Sequence, residues 1–259
     1  MFQLFIVFHK KIFDECYQNI PSEVLEKYFT FVAVNRNIPK EYTKNKYKVI
    51  NEWELPVYDN SFQERGYNEN SAIYHIYANN LHKGYKYIGF FQYDMTFNDN
   101  IIDFLYKNLE SDDKPKYFSL ETYNFTFCAY NTWNERYTLN YILQDYNSYF
   151  NVPFDRMKKF PLYNTYVIST ETYEKVMKWV TRLYSKLYPE CVKPPNRSHF
   201  GHIGTIYERI MAFAIGCEEM EQITLNVKHD DAYKKMCYPK PVVLTQPRPQ
   251  PPSFKLVFK

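Results

Sequence analysis

The stretch YIGFFQYDMTF, Tyr87 to Phe97, constrains this chain more than any other. A β-type run, Tyr87 to Phe91, ends in the polar triplet Gln92, Tyr93, Asp94, and a helical pattern with Asn98 or Asp99 as N-cap follows from about Ile101. Open α/β sheets deliver carboxylates to the crevice at the carboxyl ends of their strands in this way. A second apolar run, Phe2 to Phe8, ends likewise in polar residues, His9 and Lys10, and is continuous enough for a central strand covered on both faces. The two runs predict neighbouring strands that bring their polar edges together.

The rest of the chain alternates in the same manner. Phe31 to Val34 reads as a strand ending at Asn35 and Arg36, so the opening resembles a βαβ unit. No Gly-rich fingerprint follows the first strand, which argues against a dinucleotide-binding domain. Pro39 to Gly66 is a long polar excursion of the kind used for binding loops or lids. Asn68 to Leu81 has helical spacing; His75 and His82 fall at different angles on it and read as packed or surface histidines, not a metal pair. Short strands at Tyr117 to Leu120 and Phe125 to Tyr130 flank Glu121, and Thr132 with Glu135 forms a capping box before a helix through about Tyr146. Tyr163 to Ile168 is a strand, followed by a helix from about Glu171 to Leu187 that Ser169 or Thr170 caps. His202 to Ile215 is an amphipathic helix, with Gly216 at its end. Ile223 to Val227, a last strand, leads into Lys228, His229, Asp230 and Asp231. The expectation is an α/β fold in one domain, residues 1–238. Residues 1–110 form the nucleotide-sized half and 111–238 the other. The six prolines from Pro239 to Pro252 make residues 239–259 an extended arm.

Composition excludes several classes. A net charge of +3, with no dense Lys or Arg cluster, disfavours a nucleic-acid surface. No stretch approaches the apolar length of a membrane span, and the apolar start lacks a signal-peptide cleavage pattern. Five cysteines, odd in number and without CxxC spacing, read as reduced thiols in a cytoplasmic chain. The 27 tyrosines either furnish a surface that stacks on sugars or bases, or record an AT-rich genome.

Asp94, Glu121, Glu208, His229, Asp230 and Asp231 are the acidic or imidazole groups at element ends or beside loops. For a nucleoside-diphosphate ligand, a divalent ion must offset the phosphate charge, and carboxylate and imidazole donors suit Mn²⁺ or Mg²⁺. Asp94 is the first candidate ligand and His229 the second. Glu208 follows an inward-facing Tyr207, so a purely structural helix carboxylate is an equal reading.

The ordered segments FIVFHK, NENSAIYHIYAN, YIGFFQYDM, PLYNTYVISTETYEKVMKW and HIGTIYERIMAF resemble a family of bacterial and giant-virus glycosyltransferases related to the GT-A nucleotide-sugar-dependent enzymes. The resemblance extends across residues 2–216. It implies a Rossmann-like GT-A fold, a mostly parallel sheet flanked by helices. The donor, a UDP- or other nucleoside-diphosphate sugar, would meet His9, Asn35, Arg36, Gln92, Tyr93 and Asp94. A glycan acceptor would meet Asn164 and Arg209, with Trp53 and Glu121 also on that side. Where the family's strand runs into a histidine, a tyrosine and basic residues, this chain has Gln92, Tyr93, Asp94 and Met95. That resembles the aspartate-containing metal motif of GT-A enzymes, with one acidic residue where the fuller motif has two. Glu208 and Arg209 match the family's Gly, Glu, Arg stretch, and Glu208 or Asp230 would take the acceptor proton in an inverting reaction. Two other classes stay open: a carbohydrate-binding or virion-associated protein without catalysis, and a metal-dependent phosphodiesterase or other hydrolase.

Overall fold

The computed structural model describes residues 2–36, 47–109, 114–120, 122–124, 133–152, 159–161, 163–191 and 202–233. Glu121, the expected strand Phe125 to Tyr130 and the proline-rich arm lie outside the described residues.

The apolar run at the start forms β1 (Phe2–Phe8), buried along its whole length. Alternation explains this burial, since successive side chains leave opposite faces of a strand. Phe2, Leu4, Ile6 and Phe8 join one hydrophobic cluster, while Phe5 and Val7 join another. A polar residue inside this strand needs partners, and Gln3 has them: its Nε2 donates to Thr30 Oγ1 at 3.0 Å and to the Tyr28 carbonyl at 3.1 Å.

From β1 the chain turns through a short 3₁₀ segment, Asp14–Tyr17, into α1 (Ser22–Tyr28) and β2 (Phe29–Ala33). Edge strand β3 (Val49–Asn51) and the small helix α2 (Ser61–Glu64) follow, then α3 (Glu69–Ala78) and β4 (Tyr87–Gln92). Next come β5 (Met95–Phe97), α4 (Ile101–Leu109), β6 (Lys116–Ser119) and β7 (Thr122–Asn124). The second half holds α5 (Trp133–Phe150), β8 (Lys159–Pro161), β9 (Tyr166–Ser169), α6 (Thr170–Cys191), α7 (His202–Cys217), β10 (Glu221–Thr224) and β11 (Val227–His229).

The main sheet has seven strands in the order β10-β6-β9-β4-β1-β2-β3. β1 pairs in parallel with β2 and with β4, and β9 alone runs antiparallel, between β4 and β6. The chain moves from β1 outward through β2 and β3 and then crosses to the other side of β1 for β4. The carboxyl ends of β1 and β4 therefore flank a topological switch point, where such sheets leave a crevice. Two further pairs, β5 with β11 and β7 with β8, are antiparallel.

Several local expectations shift. Asn100, not Asn98 or Asp99, caps α4: its Oδ1 accepts the Ile102 N–H at 3.2 Å. Ser169 Oγ caps α6 as expected, accepting the Thr172 N–H at 3.1 Å. The strand expected from Tyr163 begins only at Tyr166, because Tyr163 and Asn164 adopt positive φ angles of 64° and 44°. The last strand divides at Leu225 and Asn226 into β10, in the main sheet, and β11, against β5. Helix α7 continues past Gly216 to Cys217. It is buried nearly all round, not on one stripe, since it lies between other helices and β8.

The polar excursion after β2 is docked by a buried network. Glu52 is fully buried; its Oε1 accepts from His75 Nδ1 at 2.8 Å and from the Ser71 hydroxyl, and its Oε2 accepts from Gln63 Nε2 at 2.9 Å. His75 Nε2 in turn accepts the Asp59 N–H at 2.9 Å. Residues 52–63 are thus tied to α3. Removing one partner from a buried charged network of this kind costs about 3–5 kcal/mol.

Helix α7 is fixed against the segment before α3 by a close backbone approach. Asn70 Nδ2 donates to the Gly204 carbonyl at 2.9 Å, and a Cβ on Gly204 would lie 2.9 Å from the Gly66 carbonyl and 3.1 Å from that of Tyr67. Both of the latter neighbours are backbone and cannot rotate away. Gly204→Ala is expected to destabilise the protein by about 1–3 kcal/mol, measured by urea denaturation; an unchanged midpoint would show that the approach is looser than described.

Candidate functional site

The strand ends build one cavity of about 570 Å³. The end of β1 and the residues after it contribute Val7, His9 and Lys10; the residues after β2 contribute Val34, Asn35 and Arg36; the end of β4 and the turn after it contribute Gln92, Tyr93 and Asp94. The docked excursion supplies Tyr58, Asn60 and Gln63, the start of α3 supplies Asn68 and Glu69, and α7 supplies Glu208. Its size falls in the range of small-molecule sites, roughly 300–1,000 Å³.

Seven residues expected from sequence therefore share this wall: His9, Asn35, Arg36, Gln92, Tyr93, Asp94 and Glu208. Lys10, Tyr58, Asn60, Gln63, Asn68 and Glu69 were not singled out. The excursion as a whole had the composition of a binding loop, but nothing local distinguishes these residues from their polar neighbours. Tyr58, Asn60 and Gln63 reach the cavity because the Glu52–His75 network ties the excursion to α3, whereas Lys10 is carried there by β1, and Asn68 and Glu69 by the start of α3.

Asp94 is 1% exposed, lies in the turn between β4 and β5, and is held from two sides. Its Oδ2 accepts from His229 Nε2 at 3.0 Å, and its carbonyl accepts the Asp230 N–H at 3.0 Å. Both contacts depend on β11, which aligns His229 opposite Met95. Asp94 Oδ1 is buried with no hydrogen-bond partner among the described residues. Such an orphaned oxygen in a native interior calls for a ligand, ion or water.

His229 stacks on the ring of Tyr163, with centroids 5.0 Å apart and planes inclined by 25°. The backbone N–H of Tyr163 donates to Glu208 Oε1 at 2.7 Å. Asp94 and Glu208 are thereby linked through His229 and Tyr163. The other expected residues lie around this line. Asp230 follows β11, and its Oδ1 accepts the Ala232 N–H at 2.9 Å. Asn164 is buried, and neither of its amide atoms has a partner among the described residues. Arg209 is partly buried on α7 beside Glu208. Trp53 packs half-buried against the hydrophobic cluster that includes Phe2 and Phe8, and is not in the cavity wall.

The site holds both signs of charge. Lys10 and Arg36 line it together with Asp94, Glu69 and Glu208, and the Arg36 guanidinium lies 5.6 Å from the Tyr58 ring centre. Burial, reinforced by the Lys10 charge and opposed by Asp94, lowers the His9 pKa from 6.5 to about 4. His9 therefore enters neutral-pH chemistry uncharged, with its ring edge-on to Tyr93 at 4.6 Å.

Among the described residues no group of three or more His, Cys, Asp and Glu side chains could hold a metal ion. What the site does offer a divalent cation is the buried Oδ1 of Asp94, unpartnered among the described residues. This fits Mg²⁺ or Mn²⁺ bound by one carboxylate plus substrate phosphates and water, and does not fit an all-protein cage. Among the described residues no helix is long and apolar enough to cross a membrane.

No family model matches the chain, and no curated protein matches it. Among solved structures it is similar to that of the WbbM bifunctional glycosyltransferase in its apo form, with a TM-score of 0.56 and 13% identity. The match covers 87% of this chain but only 44% of that one. Mouse xyloside xylosyltransferase 1, also apo, aligns over 90% of this chain and 98% of its own at 11% identity, but a TM-score of 0.36 is too low to establish a shared fold. At such identities the WbbM likeness establishes architecture alone: a GT-A-like α/β fold with a mixed, mostly parallel sheet flanked by helices.

The His9 shift gives a pH prediction. Between pH 6.5 and about 4 the unfolded chain binds a proton at this histidine and the folded chain does not. Its contribution to stability is therefore lost as pH falls through that window. Denaturation curves at pH 7.5, 6, 5 and 4.5 are expected to show a shallower decline for His9→Gln than for the parent chain; equal slopes would place the ring in a more solvated setting.

Proposed function

We propose that this protein is a glycosyltransferase that moves a sugar from a nucleoside-diphosphate donor, UDP-linked in the leading case, to a hydroxyl of a glycan acceptor. The observation that carries this reading is the cavity at the β1/β4 switch point, where the orphaned carboxylate oxygen of Asp94 and the carboxylate of Glu208 share a wall with Lys10 and Arg36. The GT-A-like architecture supports it at the level of the fold.

In this reading the base and ribose lie toward Asn35 and Arg36, and the diphosphate lies at Gln92, Tyr93 and Asp94. Asp94 Oδ1 would hold Mn²⁺ or Mg²⁺ together with diphosphate oxygens and water, and the ion supplies Lewis-acid stabilisation of the leaving diphosphate. His229 keeps the other oxygen of Asp94 occupied and so orients the carboxylate. His9 lends a polar ring without adding charge.

The acceptor hydroxyl oxygen forms a bond to the anomeric carbon while the carbon–oxygen bond to the diphosphate breaks, its electron pair leaving on the phosphate oxygen. In an inverting reaction Glu208 takes the hydroxyl proton. Each carboxylate accepts one backbone N–H, and Glu208 is preferred to Asp230 because Glu208 lines the cavity. Asn164 and Arg209, next to the Tyr163–Glu208 contact, form the acceptor side. Trp53, packed against the core, is the weaker member of that set.

Two measurements test this. A donor present at a hundred times its Kd should stabilise the native chain by about 2.7 kcal/mol. In thermal melts with a panel of nucleotide sugars and Mn²⁺, one donor is expected to raise the Tm of the parent chain but not of Asp94→Asn. No shift with any donor, alongside shifts with free glycans, would move the protein to the binding class. Glu208→Gln should retain donor stabilisation and lose roughly 10²–10⁴-fold in kcat; undiminished turnover would sink the assignment of the base.

A further inference from the structure

Tyr163 stands in a conformation that its residue type resists. At φ 64° it is followed by Asn164 at φ 44°, so two successive non-glycine residues occupy the left-handed region. Asparagine tolerates that region and glycine adopts it freely, but a large side chain there is an outlier that other interactions must maintain.

The backbone of the turn is well satisfied. The Tyr163 N–H donates to Glu208 Oε1 at 2.7 Å, and its carbonyl accepts from Thr165 Oγ1 at 2.9 Å. Neither bond needs a side chain, and glycine would make both with less strain. What only an aromatic residue supplies is the flat face against His229, at 5.0 Å and 25°. His229 then donates to Asp94 Oδ2, leaving the buried Oδ1 as the oxygen without a hydrogen-bond partner among the described residues. His229 comes from β11, a three-residue strand paired, among the described residues, with β5, and the Tyr163 ring gives the imidazole a flat surface to lie on.

We propose that Tyr163 is a positioning residue for the diphosphate end of the site. Its ring sets the orientation of His229 and thereby of the Asp94 carboxylate, while its backbone sets Glu208. This rests on the donor-site reading above and adds to it a single turn that holds both poles of the reaction in register. Tyr163 touches neither donor nor acceptor in this account. Loss of a group that orients a ligating side chain typically costs 10–100-fold in affinity or activity.

The alternative role is apolar packing, since the Tyr163 ring also lies against the hydrophobic cluster around Phe8 and Phe91. Three variants separate the two. Tyr163→Phe keeps ring and bulk, Tyr163→Leu keeps bulk without an aromatic face, and Tyr163→Gly removes both while relieving the backbone. The first readout is the ring-proton resonances of His229 at fixed pH, assigned by comparison with His229→Gln. The second is calorimetric titration with UDP in the presence of Mn²⁺. The parent and Tyr163→Phe are expected to show His229 protons shielded by the neighbouring ring. Tyr163→Leu and Tyr163→Gly should lose the shielding and bind UDP roughly 10-fold or more weaker. Unshielded His229 protons in the parent, or a Tyr163→Leu variant that binds UDP as tightly as Tyr163→Phe, would overturn the proposal. A parent chain that binds no UDP would overturn the donor reading separately, and the His229 resonances of the same proteins would still decide whether the Tyr163 ring orients that histidine.

Discussion

Parallel pairing of β1 with β2 on one side and β4 on the other is the constraint from which the rest of the molecule follows. A strand paired on both edges and covered on both faces must be apolar throughout, and Phe2 to Phe8 meets that demand with Gln3 alone as a satisfied exception. Once these pairings form, three strand ends open at the same edge. Polar residues that follow the strands have nowhere to go but the crevice there. The cavity is thus a by-product of topology before it is a chemical site.

The two walls of the cavity are built by different means. The strand-end wall is rigid because the sheet hydrogen bonds run directly into it. The part supplied by residues 58–63 relies on the buried carboxylate of Glu52, saturated by Ser71, His75 and Gln63. Buried polar networks of this sort add little net stability over an apolar core, but they fix one arrangement, because a partly satisfied alternative is costly. At the far end, the single-residue contact of Gly204 with the Gly66 and Tyr67 carbonyls sets how closely α7, and hence Glu208, approaches the same cavity.

Much of the architecture was legible in the sequence for a simple reason. Continuous apolar runs, period-3.6 stripes and capping residues report local conformation. They sufficed for β1, β4, α4 and α6 and for the strand-end residues His9, Asn35, Arg36, Gln92, Tyr93 and Asp94. What misled was equally physical. The amphipathic pattern of α7 understated its burial, because Ala212 and Ala214 are compatible with either a buried or an exposed face. Tyr163 looked like a strand residue by composition, while its left-handed φ is imposed by the contacts around it.

By itself the sequence determined the central strands β1, β2 and β4 and the longer helices α3, α4, α6 and α7, and that a carboxylate follows one central strand, since those properties depend on neighbours a few residues away. Only the tertiary structure decided that Asp94 meets His229 across 135 positions and that Glu208 is linked to both through Tyr163. It likewise decided that β9 enters the sheet antiparallel and that the polar excursion becomes a cavity wall. These outcomes depend on strand order and on burial of long-range partners, energies that no local pattern of residues encodes.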